Sequence, residues 1–202
     1  MTYLLIRKYD GIFSPNLYSF RVNYSVKQAF QRIVATPEIN QYYTYKVDIS
    51  DYFNSIDLDI LLLRLRNVLC DDQPLYDFIE ALLKNPLVVE NGEIKQEKKG
   101  VMAGCPIAAF LANVYLSDLD KMFAEENVIY CRYSDDIFIF TKTKEDQERL
   151  KNKLLASLDA YCLKLNTSKE VSSLPNEPWT FLGLKYVNGQ IDVSDIAVKK
   201  IK

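Results

Sequence analysis

Two adjacent carboxylates, Asp135 and Asp136, stand between two apolar runs, Ile129-Tyr130-Cys131-Arg132 and Ile137-Phe138-Ile139-Phe140. Side chains alternate faces along a strand, so neighbouring acids can share one target only where the chain turns. Tyr133-Ser134-Asp135-Asp136 is therefore expected to be a tight hairpin that lifts both acids out of a sheet edge. Two bare carboxylates at about 4 Å repel by about 4 kcal/mol at an effective dielectric near 20, and they resist ionising together. A divalent cation turns that repulsion into a binding site. A third acid lies upstream: Asp48, near the end of Tyr42-Tyr43-Thr44-Tyr45-Lys46-Val47-Asp48-Ile49, a run with the aromatic and β-branched character of a strand. An acid in a buried strand is costly unless paired or metal-bound. The alternative is that Asp48 caps the helix starting near Ile56, but Ser55 and Asp57 lie nearer to it, so metal ligation is the favoured reading.

The elements that must hold these acids follow from periodicity. Ser25 to Val34 reads as a helix with Ser25 as N-cap and Val26, Ala29, Phe30 and Ile33 on one face, broken at Thr36-Pro37. Leu58 to Val68 is a leucine-rich helix, and Asp71-Asp72-Gln73-Pro74 opens another over Leu75 to Leu83. Leu87 to Ile94 forms a hairpin about Asn91-Gly92. Pro106 opens a long helix to about Phe123, and Glu145 to Leu165 is a second, with Leu150, Leu154, Leu158 and Tyr161 at helical spacing. Trp179 to Val187 and Gln190 to Val193 make a closing hairpin about Asn188-Gly189. This order predicts an α+β fold: a split β-α-β antiparallel sheet with helices on one face.

Composition narrows the chemistry. The chain of 202 residues is 49% apolar, enough for one domain, or one and a piece, with a real core. It has no histidine, which excludes histidine bases, histidine-bearing zinc sites and serine–histidine triads. No apolar stretch is long enough for a membrane span, and residues 1–10 lack the pattern of a signal peptide. Cys70, Cys105, Cys131 and Cys162 form no C-x-x-C pair and read as buried free thiols of a cytoplasmic protein. The net charge of −2 argues mildly against a nucleic-acid binder, which usually carries a basic face.

Lys46-Val47-Asp48-Ile49-Ser50-Asp51-Tyr52-Phe53-Asn54-Ser55-Ile56 resembles the first carboxylate motif of reverse transcriptases, the bacterial and group II intron types above all, and Tyr130 to Asp136 resembles their paired-acid motif. Gly100 to Ile107 and Leu111 to Leu116 resemble the loop and helix under the templating pair. Leu165 to Lys169 and Phe181-Leu182-Gly183-Leu184 resemble two later motifs, and Tyr18-Ser19-Phe20-Arg21 a fingers motif. The matches run in family order over roughly residues 12 to 187. Intron, retron, diversity-generating and phage-defence enzymes share them.

The resemblance implies a reverse-transcriptase palm over residues 41–202, with a finger-like insertion near 71–99 and partial fingers over 1–40. A thumb is absent from the sequence on this reading, so further fingers and thumb segments or a partner subunit would complete it, and loss of a basic thumb would fit the charge balance. The implied activity is RNA-directed DNA synthesis, in which two Mg²⁺ ions (or Mn²⁺) about 3.5–4 Å apart help add dNTPs to a DNA or RNA primer on an RNA template. Asp48 and Asp135 become the main ligands, with Asp136 a weaker one and the Ile49 carbonyl a fourth. Lys169 becomes the acid for the departing pyrophosphate, against the alternative of a solvated helix-end charge. Arg21 becomes a triphosphate grip, against a surface ion pair. The amides of Asp51 and Tyr52 become a phosphate cradle, and Phe53 a gate against the ribose 2′ hydroxyl rather than an ordinary core ring. Trp179, Phe181, Leu182 and Gly183 become a primer grip, with core packing as the alternative.

The sequence departs from the family in one loop, where Met102-Ala103-Gly104 replaces Pro-Gln-Gly and Ala108-Ala109 replaces Ser-Pro. Ala103 cannot make the contacts of a glutamine amide, while Gly104 keeps close backbone approach open to the nucleotide. The competing readings are an RNA-templated RNA polymerase, which Phe53 disfavours, and a palm retained as a non-catalytic scaffold.

Overall fold

The computed structural model describes residues 2–85, 87–90, 92–96, 100–101, 105–126, 128–187, 189–194 and 197–199, with the backbone alone for 88–90 and 94–96. Ala103 and Gly104, and the turn residues Asn91 and Asn188, lie outside these.

The central sheet is built on β1 (Tyr43–Asp48), whose Tyr45 and Val47 point to one face while Thr44, Lys46 and Asp48 point to the other. It pairs antiparallel with β5 (Asp136–Thr141) from Tyr43↔Thr141 to Asp48↔Asp136. The other edge of β5 pairs with β4 (Ile129–Tyr133), and β6 (Val171–Ser173) pairs with β1, giving the order β4-β5-β1-β6. Residues 16–18 add a short parallel rung outside β4: the Arg132 amide donates to the Asn16 carbonyl at 2.9 Å, and the Tyr18 amide to the Arg132 carbonyl at 2.9 Å.

One face of the sheet, Val47, Ile137 and Ile139, is covered by α1 (Thr2–Tyr9), α4 (Leu58–Val68), α5 (Gln73–Lys84), α6 (Ala108–Tyr115), α7 (Ser117–Ala124) and α8 (Lys144–Ala160). The mixed α+β architecture is as expected. The opposite face is covered as well: Phe138 and Phe140 pack against Phe30 and Ile33 of α2 (Val26–Val34) and against Trp179 and Phe181. Sequence periodicity shows that α2 buries a stripe but not which face receives it.

Local chemistry explains the element ends. Asp57 caps α4, accepting from the Asp59 amide at 3.0 Å and the Ile60 amide at 3.1 Å, so Asp48 is free of that role. The long helix expected from Pro106 to Phe123 is broken at Leu116, where the Ser117 hydroxyl donates to the Val114 carbonyl at 2.9 Å. Such back-bonding competes with the helical ladder. Helix α8 ends at Ala160 rather than Leu165. Cys162 takes a left-handed φ of 55°, and the amides of Cys162 and Leu163 close onto the carbonyls of Asp159 and Leu158, a Schellman end.

The stretch from Trp179 to Val187 is two strands rather than one, β7 (Trp179–Phe181) and β8 (Leu184–Val187), followed by β9 (Gln190–Val193) in a three-stranded meander. Leu182 and Gly183 both have positive φ, 50° and 86°, the two-residue turn that suits strand twist. β2 (Leu87–Glu90) and β3 (Glu93–Gln96) pair antiparallel, as expected. All four cysteines are free, but only Cys131 is buried, and Cys70 and Cys162 are exposed just past helix ends.

Candidate active site

The paired acids sit where β4 turns into β5. Tyr133 pairs with Asp136, which leaves Ser134 and Asp135 as a two-residue turn. Ser134 takes a φ of 58°, the left-handed geometry such hairpins demand. Asp136 lies directly across from Asp48, and side chains of directly opposed residues emerge on the same face. One residue further along, the Ile49 amide donates to the Asp135 carbonyl at 3.0 Å. On the other side, the Ser50 amide donates to the Lys164 carbonyl and the Asn166 amide to the Asp48 carbonyl, both at 2.8 Å. The end of β1 is thus fixed from both flanks, with Asp48 buried at 6% exposure.

Crowding and burial set the electrostatics. Burial pushes the Asp136 carboxyl up to about 6, and the neighbouring charges of Asp135 and Asp48 add to the effect. Burial also raises Asp135, again with Asp48 contributing. These are the marks of like charges gathered without full compensation. The nearest cation is Lys169, whose Nζ lies 2.8 Å from Asp48 Oδ2 and whose own value is raised by that bond. Asn166 caps the 3₁₀ turn 167–169; the chain that pairs with the Asp48 backbone thereby folds back to bring Lys169 over the carboxylate.

Three carboxylates at adjacent strand ends and the turn beside them form a hard-oxygen donor set suited to Mg²⁺, and the raised proton affinity of Asp135 and Asp136 shows the negative charge that such an ion would relieve. In the present rotamers they do not close on one point. Among the described residues no group of three acidic, cysteine or histidine side chains stands at ligand spacing, and Asp48 is turned to Lys169.

The remaining expected residues divide into two sets. Asp51 (φ 46°) is exposed and accepts from Asn54 Nδ2 at 2.8 Å at the start of α3 (Tyr52–Ser55). The Tyr52 side chain is buried, donating its hydroxyl to the Ala112 carbonyl at 2.6 Å. Phe53 is half-buried against the helical core, and its carbonyl accepts from the Val101 amide at 2.8 Å. Gly100 (φ 80°) brings the following loop onto this helix so closely that a Cβ would meet the Phe53 carbonyl oxygen at 2.6 Å. Only glycine tolerates both the conformation and the contact.

Arg21 is not presented to the cluster as a free cation. Its guanidinium donates to both Asp10 oxygens at 2.8 and 3.0 Å and to the carbonyls of Ser14 and Leu17, and it stacks over Tyr24. Trp179 and Phe181 are buried in the second core, Trp179 against Phe30, Phe138, Phe140 and Tyr186. Leu182 and Gly183 alone of that motif form a turn.

Sequence reading missed a buried polar layer beneath the acids. Arg132 donates to Asp120 through Nε at 2.7 Å and Nη2 at 2.6 Å, and to the Ser134 carbonyl through Nη1 at 3.0 Å. Asp120 also accepts from the Tyr130 hydroxyl at 2.8 Å. Ser19 Oγ accepts from the Ser134 amide at 2.9 Å, and Asn113 bonds both the Ser19 hydroxyl and its carbonyl. The available signal was a charge at a core position: Asp120 falls four residues after Leu116 on the buried stripe.

Residues 1–186 match the reverse transcriptase (RNA-dependent DNA polymerase) family. The chain belongs to that family. Solved structures with the same fold include the apo telomerase of Candida tropicalis truncated from its C-terminal domain, at 16% identity and a TM-score of 0.72 over 96% of this chain and 44% of that one. The Candida tropicalis telomerase in complex with the TWJ fragment of telomeric RNA aligns at 15% identity and 0.76, over 95% and 36% of the respective chains. The Candida albicans counterpart aligns at 12% and 0.68, over 96% and 36%. The chain therefore spans less than half the length of these structures. No curated protein sequence matches it.

Proposed function

We propose that the site performs RNA-templated DNA synthesis, adding a deoxynucleotide to a primer 3′ hydroxyl. The observation that carries this reading is the register Asp48↔Asp136 with the Ile49–Asp135 backbone bond, which brings two acids on adjacent strands beside a third in the turn. Asp48, Asp135 and the Ile49 carbonyl would hold the cations, with Asp136 as a weaker ligand beside them. Two divalent ions there, Mg²⁺ or Mn²⁺, would supply activation of the hydroxyl and neutralisation of the leaving charge. Lys169, paired with Asp48 at 2.8 Å, is placed to donate a proton to the departing pyrophosphate.

The amides of Asp51 and Tyr52 face the phosphates, and Ala103 and Gly104 are assigned to nucleotide binding. Phe53 lies beneath the sugar and selects against the 2′ hydroxyl. The Leu182-Gly183 turn sets the primer end, with Trp179 and Phe181 as its anchors rather than its contacts. Arg21 braces the N-terminal loop and is set aside as a triphosphate ligand. Residues 1–40 act as partial fingers and 41–202 as the palm; the motif spellings favour a bacterial or group II intron-like origin. No described helix is long and apolar enough to cross a membrane, and the reading stays cytoplasmic.

Primer extension on poly(rA)/oligo(dT) with Mg²⁺ or Mn²⁺ tests the proposal, with Asp135→Ala as control. Extension with dTTP supports it. Extension with UTP instead would indicate an RNA polymerase, and no extension a scaffold.

A further inference from the structure

The turn that carries Asp135 and Asp136 is held from below on both of its backbone faces. Its amide side rests on Ser19: the Ser134 N–H donates to Ser19 Oγ at 2.9 Å, and Asn113 fixes Ser19 in turn by donating to its carbonyl at 2.9 Å and accepting from its hydroxyl at 3.2 Å. Its carbonyl side rests on Arg132, which reaches the Ser134 oxygen at 3.0 Å while its other two nitrogens are locked on Asp120. Arg132, Asp120 and Ser19 are fully buried, and Asn113 is 1% exposed.

A buried ion pair is weak evidence for stability, because desolvation offsets most of the attraction. Global stability is thus a poor account of Arg132 and Asp120. Their geometry offers a better one. A guanidinium is a rigid fork with five donors; two of its arms are spent holding it still, and the third is aimed at a turn whose residue sits in a left-handed conformation that costs free energy. The Asp120 and Asn113 supports come from two successive helices, α7 and α6, and Ser19 from the N-terminal segment that bridges to β4. Three separate parts of the chain converge on the backbone of one residue, Ser134.

We propose that Arg132 and Ser19 are positioning residues that set how well the Asp135–Asp136 turn binds divalent cations. This rests on the metal-centre reading above. The groups that orient metal ligands commonly change metal affinity about 10–100-fold when altered.

The test uses two mild variants of the whole chain and two readouts. Arg132→Lys keeps the charge facing Asp120 but cannot hold both Asp120 oxygens and the Ser134 carbonyl at once. Ser19→Ala removes the acceptor for the Ser134 amide together with the hydroxyl donor to Asn113 Oδ1. Mn²⁺ affinity is measured by calorimetry, and the Ser134 amide is followed by hydrogen exchange without metal, alongside the melting temperature.

The expected result is a Mn²⁺ affinity weakened about 10-fold in each variant and a Ser134 amide that exchanges faster in Ser19→Ala, while amides of β1 and β5 away from the turn keep their protection. Unchanged Mn²⁺ affinity in both variants overturns the positioning role and leaves the metal centre standing. Absence of Mn²⁺ binding in the unaltered chain overturns the metal centre itself. If Arg132→Lys fails to fold, Ser19→Ala decides alone, and equal Mn²⁺ affinity there is enough to reject the idea.

Discussion

Two tight turns in this molecule open with the same left-handed residue conformation and have opposite means of support. Ser134-Asp135 and Leu182-Gly183 are both two-residue hairpin turns, and each begins with a non-glycine residue at positive φ, 58° and 50°. The first is fastened by hydrogen bonds with buried polar side chains, one donating to the Ser134 carbonyl and one accepting from its amide. The second is fastened by apolar neighbours: Phe181 is fully buried, and Leu182 packs at the margin of the same core. Hydrogen bonds are directional and fix the aim of a peptide unit, whereas apolar packing fixes its position and tolerates small rotations. A turn that must point two like charges at one place needs the first kind. A turn that presents backbone to a partner can manage with the second.

The largest test of this contrast is Asp135→Ala. Primer extension should fall by at least roughly 10³-fold, since several kcal/mol of transition-state charge stabilisation go with a metal ligand, while the melting temperature stays level or rises. A variant that unfolds instead would place Asp135 among structural residues. Phe181→Ala should do the reverse, costing about 3–5 kcal/mol in denaturant unfolding, because a fully buried ring leaves a cavity. A loss below about 1 kcal/mol would mean that the second turn does not depend on packing.

Asp136 allows a subtler comparison through pH. Its carboxyl ionises at about 6 in the folded chain, against about 3.9 in an unfolded one. Below both values the group is protonated in either state and costs nothing. As pH rises between them the unfolded chain loses its proton first, so stability falls, and the fall is complete above about 6. After solvent screening the loss is about 2 kcal/mol. Without divalent cations, Asp136→Asn should therefore be more stable than the parent at neutral pH and flatter across this window. Excess Mg²⁺ should raise the melting point of the parent more than that of the variant. A parent whose stability climbs over that window contradicts the assignment. Phe53→Val should give the smallest effect, raising the ratio of ribo- to deoxynucleotide incorporation about 10-fold, the scale of a shape-based discrimination. An unchanged ratio returns Phe53 to the core.

Much of the site was legible because its chemistry is local. The Tyr133–Asp136 hairpin, the strand ending in Asp48 and the cap at Asp57 each depend on residues within a few positions of one another. What was not legible depends on partners far along the chain. Arg21 looked free for a phosphate because nothing nearby in sequence shows that Asp10 and two carbonyls would bind its guanidinium. Arg132 drew no reading of its own because its partner Asp120 belongs to another element. The Leu182-Gly183 turn was hidden in an apolar run, since leucine rarely marks positive φ. The second covered face of the sheet escaped notice because amphipathic periodicity gives a helix a buried side but no address.

The short rung formed by residues 16–18 along β4 has a consequence for how this sheet meets other chains. An open strand edge invites addition of a foreign strand. Here one border is already closed by the protein's own leading segment, which also delivers Ser19. The opposite border is the three-residue β6, too brief to template much. Growth of the sheet by recruitment is therefore discouraged at both margins, and a truncation that removed the first two dozen residues would uncover the longer one.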